Sequence, residues 1–140
     1  MKHQYFGDVN DFRKYGLLRA LSSQAGLRLD VCWMLTPDDE RSDGRFTSYL
    51  SQPALWRHHD AGLYDALVNA LREHRHVGQF TQHAIVPGSV CFDDQVPDGR
   101  DDRAASFVNA SRYLAAAELV FFDPDNGRQI KSKQIGRAHV

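Results

Sequence analysis

A short apolar run followed at once by acidic and turn-forming residues most constrains the fold of this chain. Residues 119–122 read Leu-Val-Phe-Phe, and the sequence continues Asp-Pro-Asp-Asn-Gly. Such a run is typical of a buried strand in an α/β protein, whose carboxyl end delivers loop residues to the edge of the sheet where ligands bind. Asp123 and Asp125 are therefore the first candidates for chemistry. The same residue types are favoured in tight turns for local reasons, so a purely structural turn remains open.

A second strand with an acidic end is predicted nearer the N-terminus. Residues 29–35 are almost wholly apolar and run into Asp38 and Asp39. Because parallel strands share one carboxyl edge, we expect Asp38 and Asp39 to come within reach of Asp123 and Asp125. Such a cluster suits cofactor hydroxyls, a divalent cation or an amino group. Helix capping is the structural alternative for Asp38 and Asp39.

Helical periodicity alternates with these strands. Apolar residues recur at helical spacing in residues 10–25, 61–75 and 100–117. Two further short strands are expected at 83–86 and 90–92. A strand, helix, strand order of this kind favours an α/β, Rossmann-like domain with a mainly parallel sheet.

The helix ends and inner faces can also be predicted. Asn10 or Asp11 is suited to cap the first helix, and Gly26 is suited to end it. In the first helix, Phe12, Tyr15 and Leu18 recur at helical spacing, with Leu17 and Leu21 on the adjoining stripe. In the last helix, helical spacing places these residues inward: Ala104, Phe107, Val108, Ser111 and Leu114.

Composition favours a single domain, which we assign to residues 1–134. A chain of 140 residues with 42% apolar residues can bury one core. A net charge of -1 gives no general attraction to nucleic acid, so such binding needs a local basic patch. Two basic groups are candidates, with an ordinary solvated surface as the alternative for both: Arg13, Lys14 and Arg19, and Arg128, Lys131 and Lys133.

The remaining chemistry-bearing residues predict little. Cys32 and Cys91 lie far apart in apolar stretches and are expected to be reduced core thiols. The seven histidines show no paired-ligand spacing, so no metal site is predicted from them. Trp33 is expected in the core, whereas Trp56 is a candidate for base stacking or for packing. The first residues lack the apolar core of a signal peptide, and no stretch approaches the roughly 20 apolar residues of a membrane helix, so a cytoplasmic protein without membrane association is expected.

Three segments carry a resemblance to known proteins: residues 1–19, 32–39 and 120–127. They resemble a family of uncharacterised bacterial and phage-associated proteins over nearly the whole chain. More distantly, they are similar to class I methyltransferases that use S-adenosylmethionine, in particular the adenine-N6 group that includes a 23S rRNA methyltransferase and the three-Cys-motif partner proteins. Those proteins begin with an Asp-x-x-Lys-His-like helix, matched here by residues 11–15, and carry a later Asp-Pro-Pro-Tyr-type motif, matched by residues 123–126.

The resemblance implies a Rossmann-like fold, S-adenosylmethionine as cofactor and a nucleic-acid base as substrate. In this scheme the Asp123 carboxylate and the Pro124 carbonyl accept hydrogen bonds from the target amino group. The catalytic positions implied are Asp123, Pro124, Asp125 and Asn126. The cofactor-binding positions implied are Asp38, Asp39 and Lys14. The second proline and the aromatic residue of the motif are replaced here by Asp125 and Asn126.

Two other functions remain open from the sequence. The clustered carboxylates would also suit a divalent-metal phosphodiesterase or nuclease that uses Mg²⁺ or Mn²⁺. A non-catalytic partner protein with a structural Asp turn is the other. Residues 135–140 read like a translated sequencing adapter, so we expect this tail to be non-native and the natural gene to continue beyond about Lys133. A sheet truncated at the C-terminus would expose an edge strand to a protein partner.

Overall fold

The computed structural model describes residues 1–125. Asn126, the basic group at residues 128–133 and the predicted tail at residues 135–140 lie outside the described residues. Within residues 1–125, every helix is too short or too polar to cross a membrane.

These residues form a mixed α/β fold around a small parallel sheet. The three strands of the described residues are β1 (Leu29–Cys32), β2 (Cys91–Phe92) and β3 (Leu119–Phe122). They lie in the order β2-β1-β3, and both pairings are parallel. The predicted α/β class and parallel sheet are therefore confirmed.

The helices follow the predicted alternation with the strands. Five α-helices occur in residues 1–125: α1 (Val9–Ala25), α2 (Pro53–Trp56), α3 (Ala61–Glu73), α4 (Gln79–Gln82) and α5 (Arg100–Tyr113). Short 3₁₀ turns cover His3–Tyr5, Ser48–Ser51 and Arg57–His59.

The start of α1 differs from its predicted start. Asp8 is the cap, because its carboxylate accepts a hydrogen bond from the Asn10 amide at 2.9 Å. Neither Asn10 nor Asp11 caps the helix; both lie within its first turn. Gly26 ends α1 as predicted, in the left-handed conformation at φ 64° that glycine adopts without a steric penalty.

Helices cover both faces of the sheet. On one face, α1 and α3 enclose an aromatic core in which the rings of Tyr15, Trp33 and Phe80 meet edge to face, with centroids 5.2 to 6.1 Å apart. On the other face, Ala110 of α5 and Leu114, which follows that helix, pack near Cys32. Trp33 has no exposed surface, which confirms its predicted place in the core.

Several predicted burial patterns are wrong. Strand β3 is partly exposed rather than buried, with Leu119 37% and Phe122 50% exposed, because it pairs with one neighbour within the described residues. No strand forms at residues 83–86, whose Ile85 and Val86 enter the core from a turn after α4. Residues of α1 and α5 that were predicted to lie on the apolar faces are exposed: Leu17, Leu21, Ala104, Phe107, Val108 and Ser111.

Arg75 connects the end of α3 to the N-terminal turn. Its Nε donates to the Phe6 carbonyl at 2.6 Å, and its Nη2 donates to the Tyr5 carbonyl at 3.3 Å and to the Gly44 carbonyl. One guanidinium thus holds two separate loops beside the carboxyl edge of the sheet.

We expect Arg75→Met to lower the free energy of unfolding by about 2–3 kcal/mol, because half-buried carbonyls lose a charged donor. Arg72→Met is the matched control, since Arg72 lies exposed in the last turn of α3 and should change stability by less than about 0.5 kcal/mol. Urea denaturation followed by circular dichroism measures both. Equal effects of the two substitutions would contradict the role of Arg75.

Candidate functional site

The strand order reverses between β1 and β3. From β1 the chain crosses to β2 on one side and then returns to β3 on the other. Cys32 lies opposite Phe122, so β1 and β3 end at the same level. In open parallel sheets, ligands bind in the crevice outside the carboxyl ends of the strands at such a reversal. Both predicted acidic segments follow these two strand ends.

Lys2 joins the two acidic segments. Its Nζ lies 3.6 Å from Asp39 Oδ2 and 3.4 Å from Asp125 Oδ2. The same ammonium donates to Thr36 Oγ1 at 3.0 Å and to the Pro37 carbonyl at 2.6 Å. The Thr36 hydroxyl in turn donates to Asp125 at 3.1 Å. Asp39 and Asp125 therefore meet at one edge, with a buried lysine between them.

Lys14 makes the corresponding link from α1 to β3. Its Nζ lies 2.7 Å from Asp11 Oδ1 and 2.7 Å from Asp123 Oδ2. Asp11 also accepts hydrogen bonds from the Gly7 amide and the Tyr15 hydroxyl, each at 2.9 Å. Burial acts to lower the pKa of Lys14, but the two carboxylates outweigh it and raise that pKa. Lys14 is therefore a fixed cation at the edge of the sheet.

Asp38 and Asp39 are held by the N-terminal segment and not by a helix. The backbone amide of Gln4 donates to Asp38 Oδ1 at 3.2 Å, and its side-chain Nε2 donates to Asp39 Oδ1 at 3.0 Å. Arg41 Nη2 lies 2.9 Å from Asp39 Oδ2. Burial acts to raise the pKa of Asp39, but hydrogen bonds from Arg41 lower it overall. Neither carboxylate caps a helix of the described residues, so the capping alternative is wrong.

A cleft of about 180 Å³ opens between the N-terminal turn, α1 and the end of β3. Its polar lining is mainly acidic and includes these side chains: Asp8, Asn10, Asp11, Lys14, Asp123 and Asp125. Tyr5 supplies an aromatic ring to the same cleft. Gly44, at φ 69°, lies so close to that ring that a Cβ there would collide with it.

Sequence reasoning missed Lys2, Tyr5 and Asp8 as site residues. They lie in the segment that carries the resemblance, but nothing local marks them as neighbours of β3. The Lys14–Asp123 contact joins residues 109 positions apart, a pairing that periodicity cannot reveal. Of the implied site residues within residues 1–125, the structure brings Lys14, Asp123, Pro124 and Asp125 to one cleft, whereas Asp38 and Asp39 do not line it.

Three carboxylates of this edge, those of Asp39, Asp123 and Asp125, face cations. Within residues 1–125, no three His, Cys, Asp or Glu side chains are arranged to hold a metal ion. Cys32 and Cys91 are buried free thiols, as predicted.

Comparisons of the chain with protein-family models, with curated proteins and with solved structures found no match.

We expect Lys14→Met to lower the free energy of unfolding by about 2–3 kcal/mol, because it leaves the Asp11 carboxylate desolvated without its cation. This expected loss of stability is smaller than is usual when a buried ion pair is broken, because the Lys14 side chain remains 23% exposed. Adding Asp11→Asn to Lys14→Met should recover at least about 1 kcal/mol of the lost free energy of unfolding, measured in a double-mutant cycle. Arg13→Met, at the exposed neighbouring position, is the control. Strictly additive effects would show that the pair is not coupled.

Stability should also fall as pH rises above about 10. The carboxylates raise the pKa of Lys14 above 10.5 against the effect of burial, and burial together with Asp11 raises the pKa of Tyr15 well above 10.0. In this range the unfolded chain releases protons that the folded chain retains, so the folded state loses stability with rising pH.

Urea midpoints between about pH 8 and pH 11 measure this decline. Tyr15→Phe should make the decline shallower, whereas Tyr113→Phe, which removes a hydroxyl from a 58% exposed ring, should leave it unchanged. The same slope for Tyr15→Phe and the wild type would exclude a contribution from Tyr15.

Proposed function

We propose that this chain transfers a methyl group from S-adenosylmethionine to an amino nitrogen of a nucleic-acid base. The observation that carries the proposal is the position of Asp123 and Pro124, which follow β3 at the reversal of strand order and line the acidic cleft. A parallel sheet with this reversal is compatible with the Rossmann-like fold that the proposal requires. The resemblance of residues 11–15 and 123–126 to adenine-N6 methyltransferases supports the same reading.

Asp123 is suited to accept a hydrogen bond from a target amino group. Lys14 binds its Oδ2 at 2.7 Å, and Oδ1 receives no hydrogen bond from residues 1–125. The Pro124 carbonyl is likewise without a hydrogen-bond donor in that part of the chain. Two acceptors on neighbouring residues would accept hydrogen bonds from the N–H groups of the target nitrogen and so orient its lone pair. Lys14 then acts as a positioning residue for Asp123.

The lining of the cleft fits one end of the cofactor. S-adenosylmethionine would supply the methyl group from its positively charged sulfonium. The cofactor also carries an ammonium group, which acidic side chains of the cleft such as Asp8 and Asp125 would attract. Lys14 retains a third N–H, which would bind the cofactor's carboxylate. Asp38 is exposed, and Asp39 lies beside it, so these two would meet ribose hydroxyls. The cleft of about 180 Å³ is smaller than the roughly 300–1,000 Å³ of whole-ligand sites, so these residues account for part of the cofactor site.

Tyr5 supplies the aromatic surface that the motif lacks at position 126. Its half-buried ring lines the same cleft as Asp123 and Pro124, and Gly44 leaves room for it. A base extruded from a stack needs such a ring to hold it during reaction. We assign Tyr5 this role within the proposal.

A scaffold without catalysis is the second candidate. It is favoured by the same ion pairs, because Asp39, Asp123 and Asp125 are all bound to cations that would hold loops together. These ion pairs argue against the metal phosphodiesterase, because ammonium or guanidinium groups already bind the carboxylate oxygens that a divalent cation would need.

Binding of S-adenosylmethionine and S-adenosylhomocysteine to the full chain, measured by isothermal titration calorimetry, tests the cofactor directly. Transfer of a labelled methyl group to adenine-containing oligonucleotides tests the reaction. We expect Asp123→Asn to lower the methylation rate about 100-fold, because a charged acceptor at the reacting nitrogen is lost. Cofactor affinity should change much less.

Asp65→Asn is the matched control, since Asp65 of α3 forms an exposed ion pair with Arg57. It should leave methylation unchanged. Absence of cofactor binding would overturn the proposal. Lower stability of Asp123→Asn with no activity in either protein would favour the scaffold.

A further inference from the structure

A groove beside α1 has the size of a ligand site. Its volume is about 490 Å³, within the roughly 300–1,000 Å³ typical of such sites. The lining includes Phe12, Arg13, Gly16, Trp56, His59 and Leu63. Since successive residues of an α-helix are about 100° apart, α1 presents Lys14 to the cleft and the neighbouring Arg13 to this groove.

Trp56 forms a fixed wall of the groove. Its half-buried ring meets Phe12 edge to face with centroids 5.8 Å apart, and meets Tyr49 with centroids 5.5 Å apart. The His59 ring lies 6.2 Å from it. Because two core aromatics hold the indole, its plane is set before any ligand arrives. A pre-set, partly exposed indole is a stacking surface for a planar ring.

The groove also carries positive charge that is not neutralised locally. Arg13 is exposed and takes part in no ion pair within residues 1–125. Asp60, the carboxylate of the lining, is bound by Arg19 Nε at 2.8 Å and caps α3 through the Leu63 amide at 2.9 Å. The guanidinium of Arg13 therefore remains available to an anion.

We propose that this groove binds single-stranded nucleic acid, with a base stacked on Trp56 and a backbone phosphate at Arg13. Aromatic stacking combined with a nearby cation is how proteins hold single strands without reading their sequence. The net charge of -1 gives the chain no general attraction for a polyanion, so binding depends on this local site. The inference deepens the proposed function, on which it rests for the identity of the strand as substrate, by naming where that strand docks.

Trp56 fluorescence provides a direct readout without cofactor. The chain has two tryptophans, and Trp33 is fully buried. Titration of the full chain with an oligoadenylate RNA of about ten nucleotides at low salt should quench Trp56 emission. Trp56→Leu should remove that quenching and weaken binding by about fivefold to 150-fold, measured by anisotropy of a labelled oligonucleotide.

Arg13→Gln keeps the test valid if Trp56→Leu fails to fold, because Arg13 is exposed. Loss of one phosphate contact should reduce the slope of log K against log salt by about 0.7. Arg112→Gln is the matched control, an exposed arginine on α5, which packs on the other face of the sheet. It should leave the slope unchanged.

No binding at low salt, or binding unaltered by both Trp56→Leu and Arg13→Gln, would overturn the groove. Salt-sensitive binding without Trp56 quenching would also overturn it, since that indicates surface attraction alone. Binding without methylation would uphold the groove and count against the methyltransferase. Methylation at the wild-type rate in both variants would uphold the methyltransferase and count against the groove.

Discussion

The ammonium of Lys14, placed between Asp11 and Asp123, is the interaction on which the candidate site depends. Asp11 is almost fully buried, and a buried carboxylate without a cation carries a large desolvation penalty. Through Asp11 the same ammonium is linked to the Gly7 amide and so to the N-terminal turn. One side chain thus links the N-terminal turn and the start of α1 to the end of β3, which lies 109 positions from Lys14 in the sequence.

Charge compensation decides what the acidic edge offers to a ligand. A bare cluster of carboxylates would attract divalent cations. Here Lys2 lies between Asp39 and Asp125, and Lys14 holds Asp123, so much of the negative charge is already balanced. What remains are oxygen lone pairs in fixed directions. Fixed acceptors suit the recognition of an amino group better than the binding of a metal ion, which favours methyl transfer over metal-dependent cleavage.

Local patterns predicted the elements of the fold, and long-range packing decided the rest. The apolar runs located β1 and β3, and the spacing of Leu63, Leu67 and Ala70 located α3, because each signal is contained in a few adjacent residues. Burial of β3 was predicted wrongly, since exposure depends on which elements pack beside a strand. The ends of β1 and β3 were rightly expected to meet, and the resemblance implied a role for Lys14. The place of Lys2 between them and the contact of Lys14 with Asp123 were not expected, because contacts across about 100 residues leave no local pattern.

Helix α1 connects the two surfaces to which we assign function. Asp11 and Lys14 lie on its side toward β3, whereas Phe12, Arg13 and Gly16 lie on its side toward Trp56. These residues span less than two helical turns, a rise of about 8 Å, so both surfaces lie within reach of one nucleic-acid strand. Because α1 is anchored by Asp8 at its start and by Lys14 at the edge of the sheet, a strand docked at Arg13 would be held at a fixed position relative to Asp123. Positioning of this kind lowers the entropic part of a reaction barrier.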